Sequence, residues 1–258
     1  MNRITRLFET KTRNILSVYF TAGYPALNDT LTIITELDKS GADLIEIGIP
    51  FSDPVADGKV IQKSSEIALR NGMSVNLLFE QLSKIREKTD IPLILMGYIN
   101  PIYKFGIENF LEKCNEIGID GTIIPDLPVD EYDENYKPLY EKLDILNIFL
   151  VTPQTTVERI CYLDGISKGF LYLVSSSATT GSTNSFDDSQ IARLEKFNHL
   201  NLKAPRLIGF GISDNKTFNQ ACSLASGAII GSSFIRTLEK GGPLRENIHQ
   251  FVKQIREK

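Results

Sequence analysis

The sequence predicts an α/β protein in which parallel strands alternate with helices and close into one barrel of eight strand–helix units. Short apolar segments alternate with longer amphipathic segments about eight times along the chain. No change of composition and no linker divides the 258 residues. That length suits a single barrel of this kind.

Each element follows from its pattern. A short amphipathic helix over residues 2–10, with Ile4, Leu7 and Phe8 at helical spacing, precedes the first strand. Apolar runs predict strands at residues 14–20, 43–48, 91–96, 119–124, 145–151, 169–174, 206–208 and 227–230. A helix capped at Asn28 or Asp29 and ended by Gly41 follows the first strand. Further helices are predicted at residues 60–70, 74–88, 107–117, 129–143, 156–163, 186–197 and 215–224, with a short helix and a last one at 244–256.

We therefore expect residues 1–258 to form a single TIM-barrel domain, a (β/α)8 barrel with an extra N-terminal helix and right-handed crossovers. The structural alternative is an open doubly wound sheet. Such a sheet would carry a Gly-rich fingerprint after the first strand, and the sequence Thr-Ala-Gly-Tyr-Pro at residues 21–25 does not supply one.

Composition argues against several functions. The net charge is −4 and no run of Lys or Arg occurs, which disfavours nucleic acid as a partner. Three cysteines without zinc spacing are typical of reduced thiols in a cytoplasmic protein. Two histidines, His199 and His249, in segments of surface character disfavour a histidine metal site and a Ser-His-Asp triad. We expect no bound metal, no signal peptide and no membrane span.

The most informative segment is residues 45–58, IEIGIPFSDPVADG. Strand alternation places Leu44, Glu46 and Gly48 on one face, where Glu46 is the only charge. Burying such a carboxylate is unfavourable unless it is paired or used in chemistry. The loop that follows adds Asp57, and the two acids suit proton transfer on a small molecule. Alternatively, Glu46 lies on an edge or solvated strand face, and Asp57 is a turn residue.

The loops after barrel strands lie on one side of the barrel, where active sites are found. The pair Glu46 and Asp57 belongs to this side, as do Tyr98 after the third strand and Asp126 after the fourth. Alternation leaves Tyr172, late in the sixth strand, facing either the barrel interior or the helices. Packing in the interior and contact with a ligand both remain open for this residue.

Three segments on the same side are rich in small residues, at 179–182, 209–213 and 231–233. Barrels often bind phosphate with the loops after strands seven and eight and the N-terminus of a short helix. Glycine permits close backbone approach, and free N–H groups at the helix start bind an anion. The alternative is that these glycines only form turns. The long loop after strand six suits a lid that excludes water.

At this point the motifs resemble those of the tryptophan synthase alpha chain family. The resemblance runs over essentially the whole barrel, and the segment IEIGIPFSDPVADG is its most specific part. The other matching segments are YFTAGYP, LMGYINPI, GTIIPDLP, FLYLVSSSATTGS, GFGIS and GSSF. The family cleaves indole-3-glycerol phosphate into indole and glyceraldehyde 3-phosphate. The implied activity is that of a carbon–carbon lyase in tryptophan biosynthesis.

The resemblance also implies roles for individual residues. Glu46 matches the catalytic general acid/base, and Asp57 matches the aspartate that engages the indole N–H. Tyr19 and Tyr98 match site aromatics, and Tyr172 matches a tyrosine near the catalytic glutamate. The matching phosphate-binding positions, together with the neighbouring threonine of the lid, are Thr180, Gly181, Gly211, Gly231 and Ser232.

The resemblance implies no metal and no organic cofactor on this chain. Its partner is a beta chain that holds pyridoxal phosphate, in an α2β2 heterotetramer to which indole passes directly. Two departures occur: Ala178 and Thr179 stand where the family has Gly-Val before its Thr-Gly, and Lys59 stands where proline is usual. Two other functions remain alternatives: another phosphate-binding barrel lyase or isomerase, and a partner-activating protein without catalysis.

Overall fold

This computed structural model describes residues 1–174, 191–192, 194–195, 197, 199–209 and 211–257. Within these residues the strands are all parallel and lie close to their predicted positions. They are β1 (Ile15–Thr21), β2 (Leu44–Gly48), β3 (Leu93–Met96), β4 (Gly121–Ile123), β5 (Leu146–Asn147 continuing as Phe149–Val151), β6 (Leu171–Val174), β7 (Arg206–Gly209) and β8 (Gly227–Ile230).

The sheet is a nearly closed barrel. Strand β1 pairs with β2 and with β8, and the remaining neighbours follow in chain order. The two ends of the sheet are the two halves of β5, of which the first pairs with β4 and the second with β6. One strand therefore joins both edges, which confirms the predicted barrel and excludes an open doubly wound sheet.

The described helices lie outside the strands or at the ends of the barrel. They are α1 (Arg3–Thr10), α2 (Thr30–Ser40), α3 (Lys59–Arg70), α4 (Val75–Leu82), α5 (Ile99–Phe105), α6 (Ile107–Ile117), α7 (Val129–Glu131), α8 (Lys137–Lys142), α9 (Val157–Ile166), α10 (Asn215–Leu224), α11 (Ser232–Glu239) and α12 (Leu244–Arg256). The predicted lid and most of the predicted helix at 186–197 lie outside the described residues; 191–192, 194–195 and 197 are helical.

Two predicted helices are interrupted. The helix expected over 74–88 ends at Leu82, where the Ser83 hydroxyl bonds to the Glu80 carbonyl at 2.8 Å, and a short 3-10 turn follows at Ile85–Glu87. The helix expected over 129–143 contains a π-helical turn at Tyr132–Tyr136. Pro138 lies just beyond this turn; it has no N–H to donate, and its ring crowds the carbonyl four residues earlier, so the turn widens.

The loop predicted after the third strand contains a helix that the sequence reading missed. Helix α5 begins at Ile99, whose N–H donates to the Asp126 carboxylate at 2.9 Å. This cap comes from the loop after β4 rather than from a neighbouring residue. Pro101 falls in the first turn, where its missing N–H costs nothing.

The core has two layers, separated by strand alternation. Residues Ile45, Ile47 and Ile49 belong to the layer between strands and helices, whereas Leu44 belongs to the barrel interior. Helix α1 closes the N-terminal end of the barrel: Ile4 is fully buried in the interior cluster, and the ring of Phe8 lies 5.6 Å from that of Phe170. We call the opposite end, where the strands finish, the open end in the described part of the chain, and the candidate site lies there.

A buried carboxylate stabilises the closed end. Asp120 is 2% exposed. It accepts hydrogen bonds from Arg86 at 2.7 Å, from Arg3 at 3.1 Å and from the Leu93 N–H at 2.8 Å. Two guanidinium groups and a backbone amide thus share the negative charge of Asp120.

Candidate active site

Glu46 lies on β2 with its side chain turned into the barrel. It is fully buried, and the Ser17 hydroxyl donates a hydrogen bond of 2.7 Å to its Oε1. Its Oε2 has no hydrogen-bond partner among the residues that the structure describes. Burial raises the pKa of the Glu46 carboxyl to about 7, against the opposing effect of the Ser17 hydrogen bond. The carboxyl can therefore exchange a proton near neutral pH.

Asp57 lies at the end of the loop that follows β2. Burial raises the pKa of its carboxyl to about 6, and a hydrogen bond with the Tyr98 hydroxyl acts in the opposite direction. The same hydroxyl accepts the Ala56 N–H at 2.9 Å. The ring of Tyr98, which follows β3, lies 5.3 Å from that of Phe51 at the start of the same loop, so Tyr98 contacts the loop near both of its ends. Tyr98 thus fixes the loop that carries the second carboxylate.

Tyr19 and Tyr172 are buried aromatic residues at the open end of the barrel. A Cβ atom on Gly48 would lie 2.1 Å from the Tyr19 hydroxyl oxygen, and a Cβ on Gly209 would lie 2.2 Å from that of Tyr172. Each ring therefore occupies space that only a glycine on a neighbouring strand leaves free. Burial and the negative charge of nearby carboxylates raise the pKa of both phenols, so both stay neutral.

The structure resolves the direction of Tyr172. Its side chain belongs to the interior cluster of the barrel, and Glu46 and Asp57 both act on its charge. Tyr19 pairs with Glu46 in the strand register and is influenced by both carboxylates. The fold therefore brings Glu46, Asp57, Tyr19, Tyr98 and Tyr172 together around one space.

The loops after β7 and β8 meet beside this space. Gly211 adopts a φ of +78°, which favours glycine, and the Ser233 hydroxyl donates to the Ser213 carbonyl at 3.1 Å. Gly231 precedes helix α11, which starts at Ser232 and whose first-turn N–H groups lack partners within the helix. A Cβ on Gly231 would lie 3.4 Å from the Tyr19 ring. The start of α11 therefore adjoins the aromatic space; Thr180 and Gly181 lie outside the described residues.

Comparisons with known proteins concern the family and the fold of the chain. The sequence profile described as tryptophan synthase alpha chain matches residues 6–258. The tryptophan synthase alpha chain of Flavobacterium psychrophilum is 56% identical over 255 residues, covering 99% of this chain and 100% of the relative. The chain belongs to the tryptophan synthase alpha chain family. The tryptophan synthase alpha chain of Bacteroides fragilis is 53% identical over 240 residues, covering 93% of this chain and 91% of the relative.

Solved structures extend the similarity to the fold. The tryptophan synthase alpha subunit of Legionella pneumophila str. Paris has a TM-score of 0.89 at 32% identity, covering 99% of this chain and 97% of that one. Tryptophan synthase from M. tuberculosis in an aminoacrylate-bound form has a TM-score of 0.85 at 26% identity, covering 99% and 98%. The predicted family and barrel are both confirmed.

Family membership gives this chain its activity. It is an indole-3-glycerol-phosphate lyase of tryptophan biosynthesis, and the family's pyridoxal phosphate belongs to the beta chain rather than to this one. In the described part of the chain, no cluster of three or more His, Cys, Asp or Glu residues could hold a metal ion. None of the described helices is long and apolar enough to cross a bilayer.

Three contacts of this candidate active site were not predicted from the sequence. They are the Ser17 hydroxyl on Glu46, the Ala56 N–H on Tyr98, and the packing of Phe51 against Tyr98. The first joins two strands whose relative register the sequence does not state. The inward position of Ser17 follows from alternation along β1, which is the one signal that could have identified it.

Proposed function

We propose that Glu46 and Asp57 carry out the lyase reaction of this chain as general acid/base and electrostatic partner. The observation that carries the proposal is the fully buried Glu46 carboxyl with Oε2 unpartnered among the described residues, close enough to Asp57 that both act on the same tyrosines. With a pKa near 7, a large fraction of Glu46 carries a proton at neutral pH. It gives this proton to C3 of the indole ring.

Protonation at C3 makes a positively charged indoleninium ring. The bond between C3 and the glycerol carbon then breaks, and its electron pair returns to the ring. As the bond breaks, the neighbouring hydroxyl becomes the aldehyde of glyceraldehyde 3-phosphate and releases its proton to the Glu46 carboxylate. Glu46 ends in its starting state, and indole leaves neutral.

Asp57 stabilises the charge that develops at the ring nitrogen. With a pKa near 6 it is mostly ionised at pH 7, and its carboxylate accepts a hydrogen bond from the indole N–H. The hydroxyl of Tyr98 holds the Asp57 loop in place. Tyr19 and Tyr172 line the space for the indole ring.

The phosphate binds where the loops after β7 and β8 meet. Gly211 in the loop after β7, and Gly231 and Ser232 at the start of α11, offer backbone N–H groups, and the site adjoins the Tyr19 ring. Thr180 and Gly181 complete the set through the resemblance to the family. The glycerol chain would then join the aromatic space to the anion site.

Indole release from indole-3-glycerol phosphate tests these roles. We expect Glu46→Gln to lower kcat by roughly 10²–10⁴-fold, because proton transfer is removed. Asp57→Asn should lower kcat by about 10²–10³-fold, the loss seen when one preorganised electrostatic group is removed. Asp53→Asn is the matched control, an exposed carboxylate in the same loop. Near-normal turnover by Glu46→Gln would reject the proposal and favour a different proton donor.

The proposal extends to a partner. We place a tryptophan synthase beta chain on the open side of the barrel, in an α2β2 complex that receives indole directly. The family and the similarity to the M. tuberculosis tryptophan synthase support this partner. Val55, in the loop of Asp57, is 86% exposed and offers an apolar contact on that side.

The proposed contact surface near Val55 is tested by binding to a beta chain. Calorimetry measures the affinity, and the rate of indole release measures the stimulation. Val55→Asp should weaken binding at least tenfold, since a charge replaces an apolar contact. Glu116→Lys is the control, because it lies exposed on the last turn of α6, toward the closed end of the barrel. Equal weakening by both variants, or by neither, would contradict this location.

A cytoplasmic location and a single domain over residues 1–258 complete the proposal. The exposed free thiol of Cys161 and the biosynthetic role of the family support a reducing compartment. Cell fractionation tests the location, and limited proteolysis tests the domain: a stable fragment would indicate two units.

A further inference from the structure

Among the described residues, the side chains packed in the barrel interior below Glu46 are largely apolar. The interior cluster consists of Ile, Leu and Phe side chains with Tyr172 at its upper end. Ser17 and Glu46 are both fully buried, and alternation along β1 and β2 turns both toward this interior. A hydroxyl in such a layer is unfavourable unless it has a partner, and here its partner is the carboxyl group.

The strand register sets the direction from which Ser17 approaches. Ser17 pairs with Leu44, and Tyr19 pairs with Glu46. Ser17 therefore lies one pleat nearer the closed end of the barrel than Glu46. Its hydroxyl reaches Oε1 at 2.7 Å from that side, and Oε2 has no hydrogen-bond partner among the described residues.

We propose that Ser17 is a positioning residue for the lyase reaction, which holds Oε1 of Glu46 so that Oε2 transfers the proton. This inference rests on the proposed role of Glu46. The terminal torsion of a glutamate is broad, so burial alone does not orient its carboxyl plane. The side-chain hydroxyl of Ser17, on the neighbouring and fully buried strand β1, restrains one of the two carboxyl oxygens.

The hydrogen bond also sets the acidity of the group. Among the described residues, the titratable groups that interact with the charge of Glu46 are Tyr19 on β1 and Tyr172 on β6, and Asp57 in the loop after β2 acts on the same two phenols. Both phenols are neutral, and Asp57 carries negative charge above its pKa of about 6. Neither the phenols nor Asp57 favours the ionised form of Glu46, whereas the hydrogen bond from Ser17 does. Loss of that hydrogen bond therefore raises the pKa of the Glu46 carboxyl.

The experiment compares Ser17→Ala, Ser17→Thr and Ser17→Val in the full chain, with Glu46→Gln alongside. Thr and Val have nearly the same shape, so they differ chiefly in the hydroxyl. We expect Ser17→Ala and Ser17→Val to lower kcat about tenfold with KM changed less than twofold, and Ser17→Thr to retain most of kcat. The alkaline limb of the pH–rate profile should move up by about one pH unit in Ser17→Ala and Ser17→Val.

A second measurement does not depend on turnover. The protein is labelled with ¹³C at its glutamate carboxyls, and the Glu46 resonance is assigned by its loss in Glu46→Gln. Its titration should move to higher pH in Ser17→Ala and return toward the wild-type value in Ser17→Thr. A packing role for Ser17 would change the unfolding temperature but not this titration.

The outcomes separate the two proposals. If Glu46→Gln is inactive while Ser17→Ala and Ser17→Val keep the wild-type kcat, pH profile and carboxyl titration, the role of Ser17 is refuted and that of Glu46 stands. If Glu46→Gln itself remains active, the proposed function fails first. Equal loss of kcat in Ser17→Thr and Ser17→Val would also refute the inference, because the hydroxyl would then be irrelevant.

Discussion

The free energy of unfolding of Glu46→Gln, minus that of the wild type, should be larger at pH 8 than at pH 5. Burial raises the pKa of Glu46 from its ordinary value of 4.5 to about 7. The folded state therefore binds a proton that the unfolded state has lost between these two pH values. Stability falls with rising pH wherever the folded state binds more protons, so the wild type loses stability from pH 4.5 to pH 7.

The magnitude follows from the two pKa values. Each unit of difference between the two pKa values corresponds to about 1.36 kcal/mol. Above pH 7, Glu46 therefore lowers the free energy of unfolding of the wild type by about 3 kcal/mol. At pH 5 only the first part of this penalty has developed, about 1 kcal/mol. Glutamine carries no charge at either pH. The variant should therefore gain about 2 kcal/mol relative to the wild type between pH 5 and pH 8.

Urea unfolding followed by far-UV circular dichroism at pH 5, 6, 7 and 8 measures this difference. The free energies of all unfolding steps are summed, because a chain of 258 residues can unfold through intermediates. The buried glutamine amide subtracts a roughly constant amount, which drops out of the comparison between pH values. Glu112→Gln, at an exposed position on α6, is the control and should differ from the wild type equally at every pH. A difference for Glu46→Gln that is constant from pH 5 to pH 8 would refute the reasoning.

Three further predictions concern activity and the closed end of the barrel. The kcat/KM profile should be bell-shaped, rising through about pH 6 as Asp57 ionises and falling through about pH 7 as Glu46 loses its proton, which steady-state assays of indole release would measure. Gly48→Ala should lower kcat/KM at least tenfold in the same assay, because its Cβ would lie 2.1 Å from the Tyr19 hydroxyl and displace that ring. Asp120→Ala should reduce the free energy of unfolding by about 3–5 kcal/mol in urea titrations, since it leaves the mostly buried Arg86 guanidinium without its carboxylate, while kcat of the folded protein stays within twofold.

Controls separate these effects from general damage. Gly165→Ala is matched to the Gly48 variant, because its Cβ would meet no atom within 4 Å and its φ is not positive. It should leave kcat/KM unchanged. A pH profile flat from pH 5 to pH 8, wild-type activity in Gly48→Ala, or an Asp120→Ala variant as stable as the wild type would each contradict the corresponding prediction.

Much of the fold could be predicted because its signals are local. The strands β7 and β8 and the helices α6, α10 and α12 have the predicted boundaries to within a residue, since apolar runs and amphipathic stripes end at glycines or polar turns. Helix α5 was missed because its cap comes from Asp126, 27 positions along the chain. No local pattern encodes a hydrogen bond between two loops that become neighbours only in the closed barrel.

The site was predictable at the level of which residues, and less so at the level of their contacts. Alternation on β2 placed Glu46 on one face with Leu44 and Gly48 but left open whether that face is buried, and the position of Asp57 after the strand placed it on the side of the strand-end loops. The direction of Tyr172 stayed open in the sequence because either strand face could hold a large aromatic residue. Packing over Gly209 decides it, and that contact joins two strands whose register only the fold defines.

Two buried carboxylates at opposite ends of the barrel explain how the fold supports chemistry. Asp120 has two guanidinium groups and a backbone amide as partners, so its charge joins strands and helices. Among the described residues, Glu46 is hydrogen-bonded by one neutral group, the Ser17 hydroxyl, and burial leaves its charged form unfavourable near pH 7. An arginine beside Glu46 would favour its charged form, lower its pKa and abolish proton donation to carbon. The closed end can therefore be built for stability, whereas the open end must remain under-paired for the reaction to occur.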